Sequence, residues 1–116
     1  MPLPGQQELT DANGVDTSNA SVTAISAPAS GLRIKIFHLF LNVKTADDII
    51  LKSGSTERRR FYLGDTSGAI IDFGTHPLVL GAAEALVLTK VTGATTPLSY
   101  AIQYTVEAQT PTVRES

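Results

Sequence analysis

Apolar and polar residues alternate along residues 31–43, GLRIKIFHLFLNV, the longest run of strand-forming residues in the chain. Successive side chains of a strand lie on opposite faces. One face would carry Leu32, Ile34, Ile36, His38 and Phe40, and the other Arg33, Lys35, Phe37, Leu39, Leu41 and Val43. The second face starts charged and turns apolar. This pattern predicts the central strand of an antiparallel β-sandwich, with its apolar second half partly covered by another subunit.

Shorter strand-like segments lie on either side of this run, separated by turn-forming residues. They are residues 21–27, 49–52, 57–63, 69–73, 85–91 and 98–107. The only helix-like stretch, 79–88, is interrupted by Gly81 and followed by β-branched residues, so at most a single helical turn is expected there. The pattern predicts an all-β fold, an antiparallel β-sandwich or jelly roll of about seven or eight short strands.

The domain organisation follows from length and local composition. A chain of 116 residues fits one domain, which we place at residues 21–108. Residues 1–20 are polar and contain acidic but no basic residues, which is typical of a flexible N-terminal arm. Residues 109–116 form a short polar C-terminal tail.

Composition excludes several classes of function. The net charge of −2 does not indicate binding to nucleic acid or to an anionic membrane. Cysteine is absent, which removes disulfides and thiolate metal sites. The N-terminus lacks the features of a secretory signal, and no apolar run is long enough for a membrane helix. We therefore expect a soluble protein made inside a cell, without nucleic-acid or membrane partners.

Candidate catalytic groups are sparse. Asp47 and Asp48 are adjacent in a turn-rich loop. Adjacent carboxylates on a strand point to opposite faces, so the two are poorly placed to share a proton or a metal. The two histidines, His38 and His76, lack metal-site spacing, and His38 is predicted to be a hydrogen-bonded structural histidine. No nucleophile elbow or phosphate-binding loop is present. We predict no enzyme activity, cofactor or metal.

The arginine triplet Arg58, Arg59 and Arg60 is the one notable charge cluster. On a regular strand Arg58 and Arg60 share a face and Arg59 takes the other. Such a cluster can pair with phosphate or with carboxylates of a protein neighbour. Equally, it can be a solvated edge strand that charge keeps from aggregating. Together with Phe37, Leu39 and Leu41, these arginines are the predicted partner-binding residues.

Four motifs follow one another along residues 30–107: a G-x-R-I-x-I strand, a short strand ending in K-S-G, an E-A-L-x-L segment and a tyrosine-containing last strand. In this combination the chain resembles small virion proteins of tailed bacteriophages. The matching residues are Gly31, Arg33, Ile34, Ile36, Lys52, Ser53, Gly54, Ala83, Glu84, Ala85, Leu86, Leu88 and Tyr100 or Tyr104. In two respects the chain departs from that pattern: Ala83 stands where a glycine often precedes Glu-Ala-Leu, and the arginine triplet is additional.

The resemblance implies a head decoration or cement protein, a homotrimer on the outside of the virion that bridges subunits of the major capsid protein. Low surface charge suits subunit interfaces, whose centres are depleted in charge. The alternative is a tail-fibre or baseplate sandwich that binds host-surface carbohydrate. Such a site needs exposed aromatic platforms, whereas this chain has no Trp and its Tyr100 and Tyr104 lie on the predicted buried face.

Overall fold

The computed structural model describes residues 9–92 and 95–108 and contains nine strands. They are β1 Thr10–Asp16, β2 Ser21–Ile25, β3 Leu32–Val43, β4 Asp47–Ser53, β5 Thr56–Leu63, β6 Ser67–Asp72, β7 Leu78–Val79, β8 Leu86–Lys90 and β9 Leu98–Ala108. A five-stranded sheet has the order β1-β9-β3-β6, with β7 also on β3, and a four-stranded sheet has the order β2-β8-β4-β5. The predicted antiparallel β-sandwich is confirmed, with β1 and β7 as strands that the pattern did not predict.

Strand β1 lies inside the segment that was predicted to be an arm. It pairs with β9 from Thr10 opposite Tyr104 to Asp16 opposite Leu98. The prediction of a flexible arm is therefore wrong for residues 10–16. Their sequence, TDANGVD, has almost no apolar alternation, and the ladder to β9 supplies the order that the local pattern does not. Residues 1–8 of the arm and the tail 109–116 lie outside the described residues.

A β-bulge at Phe37 divides β3 into two halves. Ile36 lies opposite Tyr104 and His38 opposite Gln103, so Phe37 has no partner of its own on β9. An extra residue reverses which side chains face the core. Ile34 and Ile36 are buried before the bulge, and the buried positions after it are Leu39, Leu41 and Val43. The face assignment predicted for the second half of β3 is therefore reversed.

The predicted partner-binding role is wrong for Leu39 and Leu41, and for Phe37 it stays a prediction. Leu39 is 1% exposed and Leu41 is fully buried, because both pack in the core between the two sheets. Phe37 is only half-buried. Leu39 and Leu41, which were predicted to contact another subunit, are thus covered by the four-stranded sheet of the same chain. That sheet contributes Ile49, Leu51, Leu86 and Leu88 to the shared core.

A polar cluster joins the sheets where the chain crosses from β7 to β8. The Ser53 hydroxyl donates to Glu84 Oε1 at 2.5 Å and accepts the Gly81 N–H at 2.8 Å. The Gly54 N–H donates to the Ala85 carbonyl at 2.8 Å. A Cβ at Gly81 would collide with the Glu84 carboxylate, so a side chain at this position would have to displace that carboxylate. Ser53, Gly54 and Glu84 thus link the end of β4 to the 80–85 loop.

Strand β1 is fastened to the four-stranded sheet by an ion pair. The Lys90 side chain, on β8, is fully buried, and its Nζ lies 2.6 Å from Asp16 Oδ2. It also donates to the Asp16 carbonyl at 3.2 Å. The hydrogen bond from Lys90 holds the pKa of the Asp16 carboxyl well below its usual range. Asp16 thus neutralises a charge that the interior would otherwise exclude.

Replacing Asp16 tests this pair. Asp16→Asn should lower the free energy of unfolding by on the order of 3 kcal/mol, because it leaves the buried ammonium without its carboxylate. The double variant Asp16→Asn, Lys90→Met should recover most of that loss, as measured by urea unfolding at pH 7. In the parent, the contribution of the pair is complete above the ordinary carboxyl pKa of 3.8 and is lost as the pH falls below it. Equal losses in the single and double variants would contradict this account.

Ala83 offers a second test, since it adopts a φ of 57°, in the left-handed region that favours glycine. Ala83→Gly should raise the stability by about 0.5–1 kcal/mol, because glycine removes the Cβ clash of this conformation. Ala82→Gly is the matched control: Ala82 is also exposed but is not among the positive-φ residues, and glycine there should destabilise. Thermal unfolding of both variants measures the difference, and a less stable Ala83→Gly protein would refute the prediction.

Candidate functional site

The outer face of the five-stranded sheet carries a shallow groove that crosses all four main strands. One row of paired residues runs Asp11, Gln103, His38 and Asp72, and the next runs Asn13, Ala101, Phe40 and Ile70. The groove that these rows outline has a volume of about 370 Å³. The bulge at Phe37 is what turns His38 and Phe40 outward into it. We call this feature the sheet groove.

The floor of the sheet groove is apolar. Ile70 is 81% exposed, and Phe40 and the small side chain of Ala101 lie in the same row. A further exposed apolar residue, Val15, is in the adjoining row of the same face. Exposed apolar side chains that are contiguous and rimmed by polar groups mark interaction sites more often than scattered ones do.

The outer face of the four-stranded sheet is different in character. Its rows run through Ser21, Thr89, Ile50 and Arg60, and through Thr23, Val87, Lys52 and Glu57. Tyr62, opposite Asp48 in the next row, is 76% exposed. Hydroxyl and charged groups predominate there, as expected of a sheet face in water. This face is therefore mainly polar, with Ile50, Val87 and Tyr62 among its apolar residues, whereas the other face carries the apolar groove.

The rim of the sheet groove is polar and is formed by Asp11, Asn13, His38 and Gln103. Asp11 is exposed at one end of its row. At the other end Asp72 Oδ1 lies 3.3 Å from His38 Nε2. The prediction that His38 would lie on the apolar face is wrong, because the bulge places it on the solvent side. Its contact with Asp72 is an ion pair only when the imidazole is protonated.

The three arginines lie on β5 and not at the sheet groove. A bulge opposite Leu51 and Lys52 leaves Arg58 as the extra residue, and its Nη1 donates to the Val79 carbonyl at 2.9 Å. Arg60 lies 3.3 Å from Glu57 and 3.7 Å from Asp48. The hydrogen bond to Glu57 raises the Arg60 pKa further above its usual value. The bulge thus breaks the regular alternation from which a shared face for Arg58 and Arg60 was predicted.

Arg59 is the most available of the three. Its side chain is exposed, and its Nη1 donates to the carbonyl of Arg58 at 3.0 Å. No carboxylate lies within ion-pair distance of it in the described part of the chain. Of the predicted triplet, this residue fits a salt link to a partner best.

The two adjacent carboxylates have separate structural roles. Asp47 is buried and accepts hydrogen bonds from the Thr92 N–H and hydroxyl, both at 2.9 Å, and from the Thr96 hydroxyl at 3.1 Å. Burial alone would raise the pKa of Asp47, but these hydrogen bonds hold it below the usual value. Asp48 faces Arg60 on the other side of β4. Their opposite orientation was predicted correctly.

Within residues 9–92 and 95–108, no group of three or more His, Cys, Asp or Glu is arranged to hold a metal ion. The same residues contain no helix that is long and apolar enough to cross a membrane. Comparison of the chain with protein-family models and with curated proteins finds no match. The sheet groove and the exposed Arg59 are thus the features from which function is inferred.

Proposed function

We propose that this protein is a structural component of a bacteriophage virion, which binds the outside of the capsid and stabilises the shell by bridging subunits of the major capsid protein. The sheet groove carries this proposal. An apolar centre with a polar rim is the usual anatomy of a protein–protein interface. The resemblance of residues 30–107 to phage decoration proteins supports the same role.

Stabilisation follows from mass action. A protein that binds the assembled shell and not its separate subunits shifts the equilibrium towards the shell. Many copies on one lattice multiply the effect of each contact. The homotrimer implied by the resemblance remains part of the proposal, but its interface cannot use Leu39 and Leu41, since both are buried in the sandwich.

Capsid binding can be tested with a pair of matched variants. Ala101 lies exposed on the floor of the sheet groove, and Thr23 lies exposed on the polar face of the other sheet. Ala101→Glu should lower capsid occupancy at least about tenfold, because it places a charge in the apolar centre of the contact. Thr23→Glu makes the same change in charge and should leave occupancy as in the parent.

The measurement uses capsids of the phage that encodes the chain, assembled without this protein and then mixed with purified parent or variant. Occupancy is determined by sedimentation and gel densitometry, and shell stability by the temperature at which the capsid opens. Parent protein that does not bind these capsids would refute the proposed function. Equal occupancy for the two variants would show that the sheet groove is not the surface that binds the capsid.

Carbohydrate binding is a second candidate function, favoured by one observation. The sheet groove brings the aromatic ring of Phe40 into the same depression as Asp11, Asn13 and Gln103. Aromatic rings that stack on sugars, combined with carboxylate and amide groups that bond to hydroxyls, suit saccharide recognition. Glycan-array binding that is lost in Ala101→Glu and kept in Thr23→Glu would favour this function over capsid binding.

A further inference from the structure

The edge strands of the sandwich differ in how they are protected. An edge strand exposes unpaired N–H and C=O groups that can pair with another chain, and proteins usually block this with charges, prolines or bulges. Edge strand β5 carries three arginines and a bulge. Edge strand β2 has a register shift after Thr23, and β1 carries a charge within the strand, Asp11, as well as Asp16 at its end. These three edges are protected.

Strand β6 lacks such protection. Its sequence SGAIID has no proline or basic residue, and its one charge, Asp72, is at its end. Its pairing with β3 is regular from Ser67 to Asp72, without a bulge. Ile70, in the middle, is the most exposed large apolar residue of the described chain, at 81%. By the same physical criteria, β6 is an open pairing edge.

The hydrogen-bonding pattern between β6 and β3 shows which backbone groups of β6 point away from β3. The Phe73 N–H donates to the Phe37 carbonyl at 2.9 Å, so odd-numbered residues of this strand face β3. The N–H and C=O groups of Gly68, Ile70 and Asp72 therefore point away from β3. Among the described residues no strand pairs with this side of β6. By contrast, the outward carbonyl of Val79, on β7, is occupied by Arg58.

Strand β5 is the edge strand of the four-stranded sheet on the same side of the sandwich as β6. The short turn 64–66 connects the end of β5 directly to the start of β6. At its other end β5 contacts β7 through the bond from Arg58 to Val79. The open edge of β6 is thus flanked by the arginine-bearing edge of β5, on which Arg59 is exposed.

We propose that the outer edge of β6 pairs with an extended segment of a different protein, whose side chains alternate between apolar residues beside Ile70 and acidic residues towards Arg59. Backbone pairing to an open edge is an established mode of peptide recognition. A second copy of this chain fits less well, because a two-fold β6–β6 pairing would bring the arginines of both β5 strands towards each other. The inference does not depend on the partner being a capsid protein.

The probe for this inference is a synthetic peptide, Val-Glu-Val-Glu-Val-Glu-Val, titrated into the full chain and followed by NMR. Saturable binding is expected. Bound peptide should slow hydrogen exchange at the amides of Gly68 and Asp72 in the parent and in every variant. The amide of residue 70 should be protected in the same way wherever that residue has an N–H. Ile70→Pro removes one outward donor without touching the ladder to β3 and should weaken binding about tenfold. Ile70→Val keeps the donor and should bind within about twofold of the parent.

Arg59→Glu tests the charge requirement without altering the backbone of β6. The parent should prefer the Glu peptide over its Lys counterpart, Val-Lys-Val-Lys-Val-Lys-Val, and Arg59→Glu should reverse that preference. No saturable binding at millimolar peptide, protection of amides away from β6, or an unchanged preference in Arg59→Glu would each overturn the inference. Capsid occupancy of the parent, measured separately, keeps failure of this inference distinct from failure of the proposed function.

Discussion

The bulge at Phe37 is the constraint on which the arrangement of the sandwich depends. β3 pairs with β9, β6 and β7 and is the central strand of its sheet. With one extra residue, its two halves bury opposite sets of side chains, Ile34 and Ile36 before the bulge and Leu39 and Leu41 after it. Without the bulge, His38 and Phe40 would point into the core and three aliphatic residues would face water. The same residue insertion therefore completes the core and creates the sheet groove.

Polar contacts at the margins hold the two sheets in register around this core. Ser53 and Glu84 join β4 to the 80–85 loop, and Asp16 and Lys90 join β1 to β8. Asp47 organises the residues after β8 through Thr92 and Thr96. Apolar packing between sheets is non-directional and tolerates sliding, whereas these hydrogen bonds have fixed geometry and specify one arrangement.

Sequence periodicity was sufficient for the fold and insufficient for the site. Period-two alternation identified most strands, including β9 with its buried Leu98 and Ile102. It could not locate the bulges in β3 and β5, because an extra residue looks like ordinary strand sequence, and every face assignment beyond each bulge was reversed or mixed. Strand β1 lacked apolar residues to reveal it. The sheet groove was not predictable, since its rows combine residues from four strands that are distant in the chain.

The pairing of β9 has a consequence for biosynthesis. β9, the last of the described strands, lies between β1 and β3 and provides the longest ladder to each of them. Neither β1 nor β3 can form its ladder to β9 until β9 has been synthesised. The apolar residues of β3 therefore stay incompletely covered while more than half of the chain is made. Non-local pairing of this kind folds slowly and exposes strand edges to aggregation. Yield in a cell should therefore depend on chaperones that shield the nascent β3, and truncation within β9 should give an insoluble product, not a partly folded one.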